Sequence, residues 1–254
     1  MGINLKSLSH LQPVLTSIFA LPKLGMSVRL MLIALMLSSC SGQVPTQKEI
    51  DQDILESRAA QLVRVADTTR TGGDLANAMQ LYRRAATMRP DWPVPLLRLG
   101  ETALGAGLYE DAYNAYQSAS ALAPGETLAL NGTGIALDLM GRHEEAQERY
   151  ISGLEKAPEN MVLRNNLGLS LALAGNFKEA TDLLEAAATN PKAGPRTRHN
   201  LALVYGLAGD DTKARQTVAN DLSQAEITNN LAFYARLRAM SPDQQSKAVF
   251  GTLR

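Results

Sequence analysis

The sequence predicts an all-α protein, an α-solenoid of stacked helix-turn-helix repeats, and three observations predict it. Gly73, Gly107, Gly141, Gly175 and Gly209 fall thirty-four residues apart. Ala78, Ala112, Ala146, Ala180 and Ala214 repeat the same period, five positions after each glycine. Bulky and small positions join the register: Tyr82, Tyr116 and Tyr150; Gly100, Gly134 and Gly168; Pro90, Pro124 and Pro158. A helix pair cannot bury its apolar face alone, so a fixed period of this length belongs to units that stack on one another.

In chain order, the first element is a leader. Residues 1 to 48 contain Lys6, Lys23, Arg29 and Lys48 but no carboxylate before Glu49. Arg29 precedes the apolar run Leu30 to Leu37, which is followed by Ser38-Ser39-Cys40-Ser41-Gly42. A basic, then apolar, then small-residue order describes a signal peptide, and the run is too short to span a bilayer. Leu37-Ser38-Ser39-Cys40 resembles the bacterial lipobox, which implies cleavage after residue 39 and lipidation of Cys40. Ser41 stands where an inner-membrane retention signal would place Asp, so the resemblance implies an outer-membrane anchor facing the periplasm. Met26 would begin a compact leader, and we expect translation to start there. Residues 40–50 are expected to form a flexible linker.

The repeats follow. Gly107 separates two apolar-periodic segments and supplies the positive φ that ends a helix. Gly100 on the first helix of a pair, with Ala112 and Ala119 on the second, leaves room where helices approach, while Leu99 and Tyr116 fill the space between them. Pro124 has no amide to continue the second helix and disfavours helical geometry before it. This pattern resembles the tetratricopeptide repeat, whose consensus runs Leu-Gly in helix A, Gly at the turn, then Ala, an aromatic, Ala and Pro through helix B. The resemblance covers about residues 59 to 228, with copies at 59–92, 93–126, 127–160, 161–194 and 195–228, and implies a right-handed superhelix. The first copy has Val65-Ala66 for Leu-Gly, the fourth Leu184 for the aromatic, and the fifth Val218 and Asp221 late in helix B, as befits terminal repeats. Ile227, Leu231, Tyr234 and Leu237 share one face of a capping helix stopped at Ser241-Pro242. The solenoid is thus expected over 51–240, and 241–254 as a frayed tail.

Composition narrows the function. The 254 residues include 25 basic and 25 acidic side chains, so no net field collects nucleic acid; removing residues 1–39 leaves 22 basic and 25 acidic. A single cysteine excludes an internal disulfide, a thiolate zinc site and a CxxC pair. His10 lies in the leader, His199 stands beside Asn200, and His143-Glu144-Glu145 lacks the second histidine of a zincin helix and sits just past Gly141, where solvated charge is expected. Gly132-Thr133-Gly134 and Gly105-Ala106-Gly107 are not dinucleotide loops, no Gly-x-Ser-x-Gly elbow occurs, and neither 41–58 nor 241–254 holds a histidine or a second cysteine. The expectation is no enzyme, no cofactor, no metal, no nucleic acid and no small-molecule substrate.

The resemblance implies a groove lined by the A helices that holds a partner protein. The candidate residues are Arg98, Asn131, Asn165, Asn166, Arg196, Asn200 and Asn230. An asparagine both donates and accepts, so a ladder of them either grips a partner's backbone or caps and bridges adjacent repeats. The lysine pair of a carboxylate-clamp groove is missing, since Val94, Leu128 and Val162 hold the matching positions. The run Asn200 to Asp210 and the segment Asn229-Asn230-Leu231-Ala232-Phe233-Tyr234 are similar to the TadD-type lipoproteins of the tight-adherence (Flp) pilus system. That similarity implies a scaffold for a pilus machine, with partners such as the secretin and with the membrane engaged through Cys40. The alternative is a lipoprotein adaptor of a cell-wall enzyme or periplasmic protease.

Overall fold

The structure, a computed structural model, describes residues 46–251. The leader, Met26, Cys40 and Ser41 lie outside the described residues. The chain divides into two compact units, the first ending at Gln52 and the second beginning at Asp53. Of the first unit, the described part is the opening of α1 (Gln47–Thr71). Residues 47–50, expected in a linker, are therefore helical. The Thr46 amide donates to Glu49 Oε2 at 2.6 Å and the Glu49 amide donates to Thr46 Oγ1 at 3.3 Å, a reciprocal cap that satisfies two amides a helix start leaves open.

Eleven further helices follow among the described residues: α2 (Leu75–Met88), α3 (Val94–Gly105), α4 (Tyr109–Leu122), α5 (Thr127–Leu139), α6 (His143–Lys156), α7 (Met161–Leu173), α8 (Phe177–Ala188), α9 (Pro195–Leu207), α10 (Asp211–Val218), α11 (Gln224–Arg238) and α12 (Pro242–Phe250). The odd-numbered helices through α11 are A helices and the even-numbered ones through α10 are B helices. From α2 onward each helix packs on the next, and α9 also rests on α7 and α11.

Local chemistry sets the boundaries. Gly73, Gly107, Gly141, Gly175 and Gly209 all have φ between 75° and 90°, so the whole turn ladder serves the backbone geometry that glycine adopts without strain. At Gly107 the Leu108 amide reaches back to the Ala103 carbonyl at 2.9 Å, and at Gly141 the Arg142 amide reaches Leu137 at the same distance; these are the backward bonds that close a helix C-terminus. Asp74, Asn160 and Asp210 cap α2, α7 and α10 through side-chain oxygens, and Pro195 opens α9.

Packing follows the ladder of small and large residues. A Cβ at Gly100 would stand 2.8 Å from the Tyr116 ring, one at Gly134 2.4 Å from the Tyr150 ring, and one at Gly168 2.6 Å from Leu184. Each of these three glycines is thus the seat of the bulky residue on the B helix of its own repeat. The Tyr116 ring also lies against Gly132 of the next A helix, where a Cβ would come within 2.3 Å. One ring joins two repeats.

Two boundaries differ from expectation. The fifth B helix ends at Val218 and α11 begins at Gln224, so the break at 228 falls inside α11. Ser223 and Glu226 form a capping box there, which starts the helix early. The segment 241–254, expected as a frayed tail, instead forms α12 over Pro242–Phe250, capped by Ser241 and Gln244. Its Ser246, Val249 and Phe250 are buried, and the helix lies against α5, α7 and α11.

Candidate partner-binding groove

The A helices carry two adjoining depressions. The first, of about 400 Å³, is lined by Val94, Leu97, Arg98, Glu101, Tyr116, Leu128, Asn131, Gly132 and Ile135. The second, of about 300 Å³, is lined by Arg70, Glu101, Leu104, Gly105, Tyr109, Ile135, Leu139, Phe250 and Gly251. Glu101 and Ile135 border both, so they form one groove across α3 and α5, its second half closed on one side by Phe250 of α12.

The groove floor is apolar and its rim charged. Leu128 is 65% exposed and Val162, thirty-four residues on, 47%; large aliphatic residues this open at equivalent positions form a stripe that water does not favour. Arg196 and Asn230 continue the register, so the stripe turns polar toward the C-terminus. On the rim, Arg98 Nη1 lies 3.0 Å from Glu101 Oε2 and its Nε lies 3.9 Å from Asp67, while Arg70 lies 3.6 Å from Glu101. Tyr82 donates its hydroxyl to Asp67 Oδ1 at 2.7 Å; burial, and then the bond to this carboxylate, push the phenol up to about 12.

The predicted groove residues separate into two groups. Arg98 and Asn131 line the first depression. Asn165 and Asn166 are buried and tie repeats together: Asn165 Nδ2 donates to Thr197 Oγ1 at 3.1 Å, and Asn166 Nδ2 donates to Asn131 Oδ1 at 2.7 Å. Arg196 is exposed and Asn200 and Asn230 are half-buried. Those three border neither depression.

His143, expected among solvated charges, is buried. Its Nδ1 lies 2.8 Å from Asp138 Oδ1. Ser170 donates to the same oxygen at 2.7 Å, and Tyr150 donates to Oδ2 at 2.8 Å. Burial pushes the Asp138 carboxyl above its ordinary range, and the His143, Ser170 and Tyr150 donors oppose that rise. On the other side of the ring, His143 Nε2 lies 3.5 Å from Ser246 Oγ of α12. Serine, histidine and aspartate thus stand in the order of a nucleophile, a base and an orienting acid. Ser246 and Asp138 are both 0% exposed, however, and none of the three borders either depression. The array binds helix to helix. One signal could have revealed it: Asp138 occupies a register position held by Leu104 and Ala172 in the neighbouring repeats.

A family profile for the tetratricopeptide repeat matches residues 97–146 and 140–195, and the described residues form an α-solenoid of such helix pairs. Solved structures agree. TTC0263, a thermophilic tetratricopeptide-repeat protein of Thermus thermophilus, is 22% identical, with a TM-score of 0.56 over 70% of this chain and 99% of its own. PilW, described as a widely conserved type IV pilus biogenesis factor, is 18% identical, with a TM-score of 0.59 over 77% of this chain and 93% of its own. The pilF protein of Pseudomonas aeruginosa is 18% identical, with a TM-score of 0.57 over 79% and 90%. At these identities the likeness is one of fold. No curated protein matches the chain in sequence.

Proposed function

We propose that this protein is a non-enzymatic scaffold that holds a segment of another protein in its A-helix groove, and that it serves assembly of a tight-adherence (Flp) pilus machine from the inner face of the outer membrane. The groove carries the reading: an apolar floor of Val94, Leu97, Leu128 and Ile135 edged by the ion-paired Arg98 and Glu101 fits an amphipathic protein segment, whose apolar side it would cover and whose polar side it would orient. The pilus assignment is supported by the Asn229-to-Tyr234 segment and by the presence of PilW and pilF among structures of like fold. The anchor is supported by the lipobox-like Leu37-Ser38-Ser39-Cys40 after an acid-free leader.

The test is in-cell crosslinking of the tagged protein with Cys40 intact, followed by mass spectrometry. Recovery of a secretin or other pilus components is the expected result. Recovery of cell-wall enzymes or a protease would replace the pilus reading with that of an adaptor. Cys40→Ala should move the protein from the membrane fraction to the soluble periplasmic fraction, and retention in the membrane would count against the lipid anchor.

A further inference from the structure

Resting on the groove reading above, we infer that α12 is a built-in occupant of the groove, displaced when a partner's short amphipathic helix takes its seat. Helix α12 has nine residues, too few for a helix to be stable by itself in water. Its start is prepared locally by the reciprocal Ser241 and Gln244 cap and by Pro242 in the first turn. Its hold on the array comes from a stripe, Ser246, Val249 and Phe250, spaced i, i+3 and i+4, and from Gln245, whose Nε2 donates to the Leu237 carbonyl of α11 at 2.9 Å and to the Met240 carbonyl at 3.4 Å.

That stripe differs from the interfaces inside the array. Tyr116, Tyr150 and Leu184 each fill a glycine seat so close that a Cβ would collide with them, whereas none of the described glycines seats Ser246, Val249 or Phe250 in this way. The polar contact across to α6 is long, with Ser246 Oγ 3.5 Å from His143 Nε2, and the shorter Gln245 bond reaches only the adjoining end of α11. Phe250 closes the second depression beside Ile135, the residue that also borders the open first depression. A partner helix entering over Leu128 and Ile135 would therefore meet α12 end to side and compete for the same apolar surface. The occupant already present defines the ligand class: a helix with a small polar residue followed, three and four positions on, by an aliphatic and an aromatic residue.

The experiment uses the full chain and a fluorescent peptide of residues 241–251. Wild type should bind the peptide weakly, and the Val249→Ala, Phe250→Ala double variant should bind it at least tenfold more tightly, because its own α12 no longer fills the seat. A peptide carrying the same two alanines should not bind. Equal affinity of wild type and variant, with the variant's thermal transition unchanged, would overturn the inference and make α12 a fixed cap. Hydrogen exchange on wild type decides the matter even if the variant misfolds: α12 amides should exchange at least tenfold faster than those of α5 and α7, and equal protection would overturn the inference. A concentration-dependent dimer of wild type that exchanges α12 between copies would also overturn it, by making the occupant a second copy. None of these readouts needs a pilus component, so they stand or fall separately from the crosslinking result.

Discussion

The ring of His143 reaches back across the turn glycine Gly141 to place Nδ1 2.8 Å from Asp138 Oδ1, joining the end of helix A to the start of helix B in the third repeat. Asp138 also receives Tyr150 from later in that B helix and Ser170 from the next repeat. A single buried carboxylate thus organises three helices, and its stability depends on keeping every donor.

Removing one donor should be costly. His143→Ala leaves a fully buried carboxyl short of a partner, and we expect a loss of about 2 kcal/mol at neutral pH. Tyr150→Phe keeps the ring on Gly134 and removes only the hydroxyl, for a loss of about 1 kcal/mol. Urea denaturation with an unchanged m-value would register both, and a double-mutant cycle should show the two losses to be non-additive, since both donors serve one acceptor.

Three glycines should give three different outcomes on substitution by alanine. Gly134→Ala would place a Cβ 2.4 Å from Tyr150 Cε1, an overpacking expected to cost about 2 kcal/mol. Gly141→Ala meets nothing within 4 Å but sits at φ 76°, so only backbone strain opposes it, at about 1 kcal/mol. Gly105→Ala has open space and a helical backbone, and should stabilise by about 0.5 kcal/mol. Thermal melts ranked in any other order would mean that the repeat interfaces yield more than their geometry implies.

Much of this architecture was legible in the sequence because it is local and repeated. Turn glycines, their small-residue seats and the helix-stopping prolines act within thirty-four residues, so the chain repeats the same signals, the turn glycine five times and the seat glycine and the proline three times each. The burial of His143 was not legible. Glu144 and Glu145 beside it mark a solvated first turn, and the serine that covers it comes from a helix 103 residues away. Ser241 and Gln244 do announce a helix start, yet where α12 docks depends on how the stack carries α5 and α7 to meet it. The asparagines were readable as A-helix residues only. Whether each faces the groove or the next repeat is set by one step of helix rotation, which period alone does not resolve.

The two groups of asparagine should separate by assay. Asn166→Ala breaks the 2.7 Å bond to Asn131 between neighbouring repeats and should lower stability by about 1 kcal/mol. Arg196→Ala and Asn230→Ala remove no described side-chain bond and should leave the melting temperature within about a degree, since surface changes of this kind fall within about 0.5 kcal/mol. If the groove extends to them, crosslinking yield to the partner should drop in those two variants; unchanged yield would confine binding to the Arg98 and Asn131 end.

Two aspartates should respond to pH with opposite sign. Asp221 accepts both Arg198 Nε at 2.6 Å and Nη2 at 2.7 Å, and this guanidinium holds its carboxyl below the ordinary range. Its contribution is then present above the unfolded value of about 3.9 and is lost as pH falls through the lower folded value, because the unfolded chain takes up the proton first. Asp138 is raised by burial, so between about 3.9 and its higher folded value the native state holds a proton that the unfolded chain has released, and stability falls as pH rises. Denaturation across pH 2 to 8 should therefore show the advantage of wild type over Asp221→Asn growing with pH and levelling off above about pH 5. Relative to Asp138→Asn, wild type should lose ground as pH climbs from about 4. Curves that move the same way would mean that the donors around Asp138 outweigh its burial, and the buried carboxylate would then be a source of stability at neutral pH.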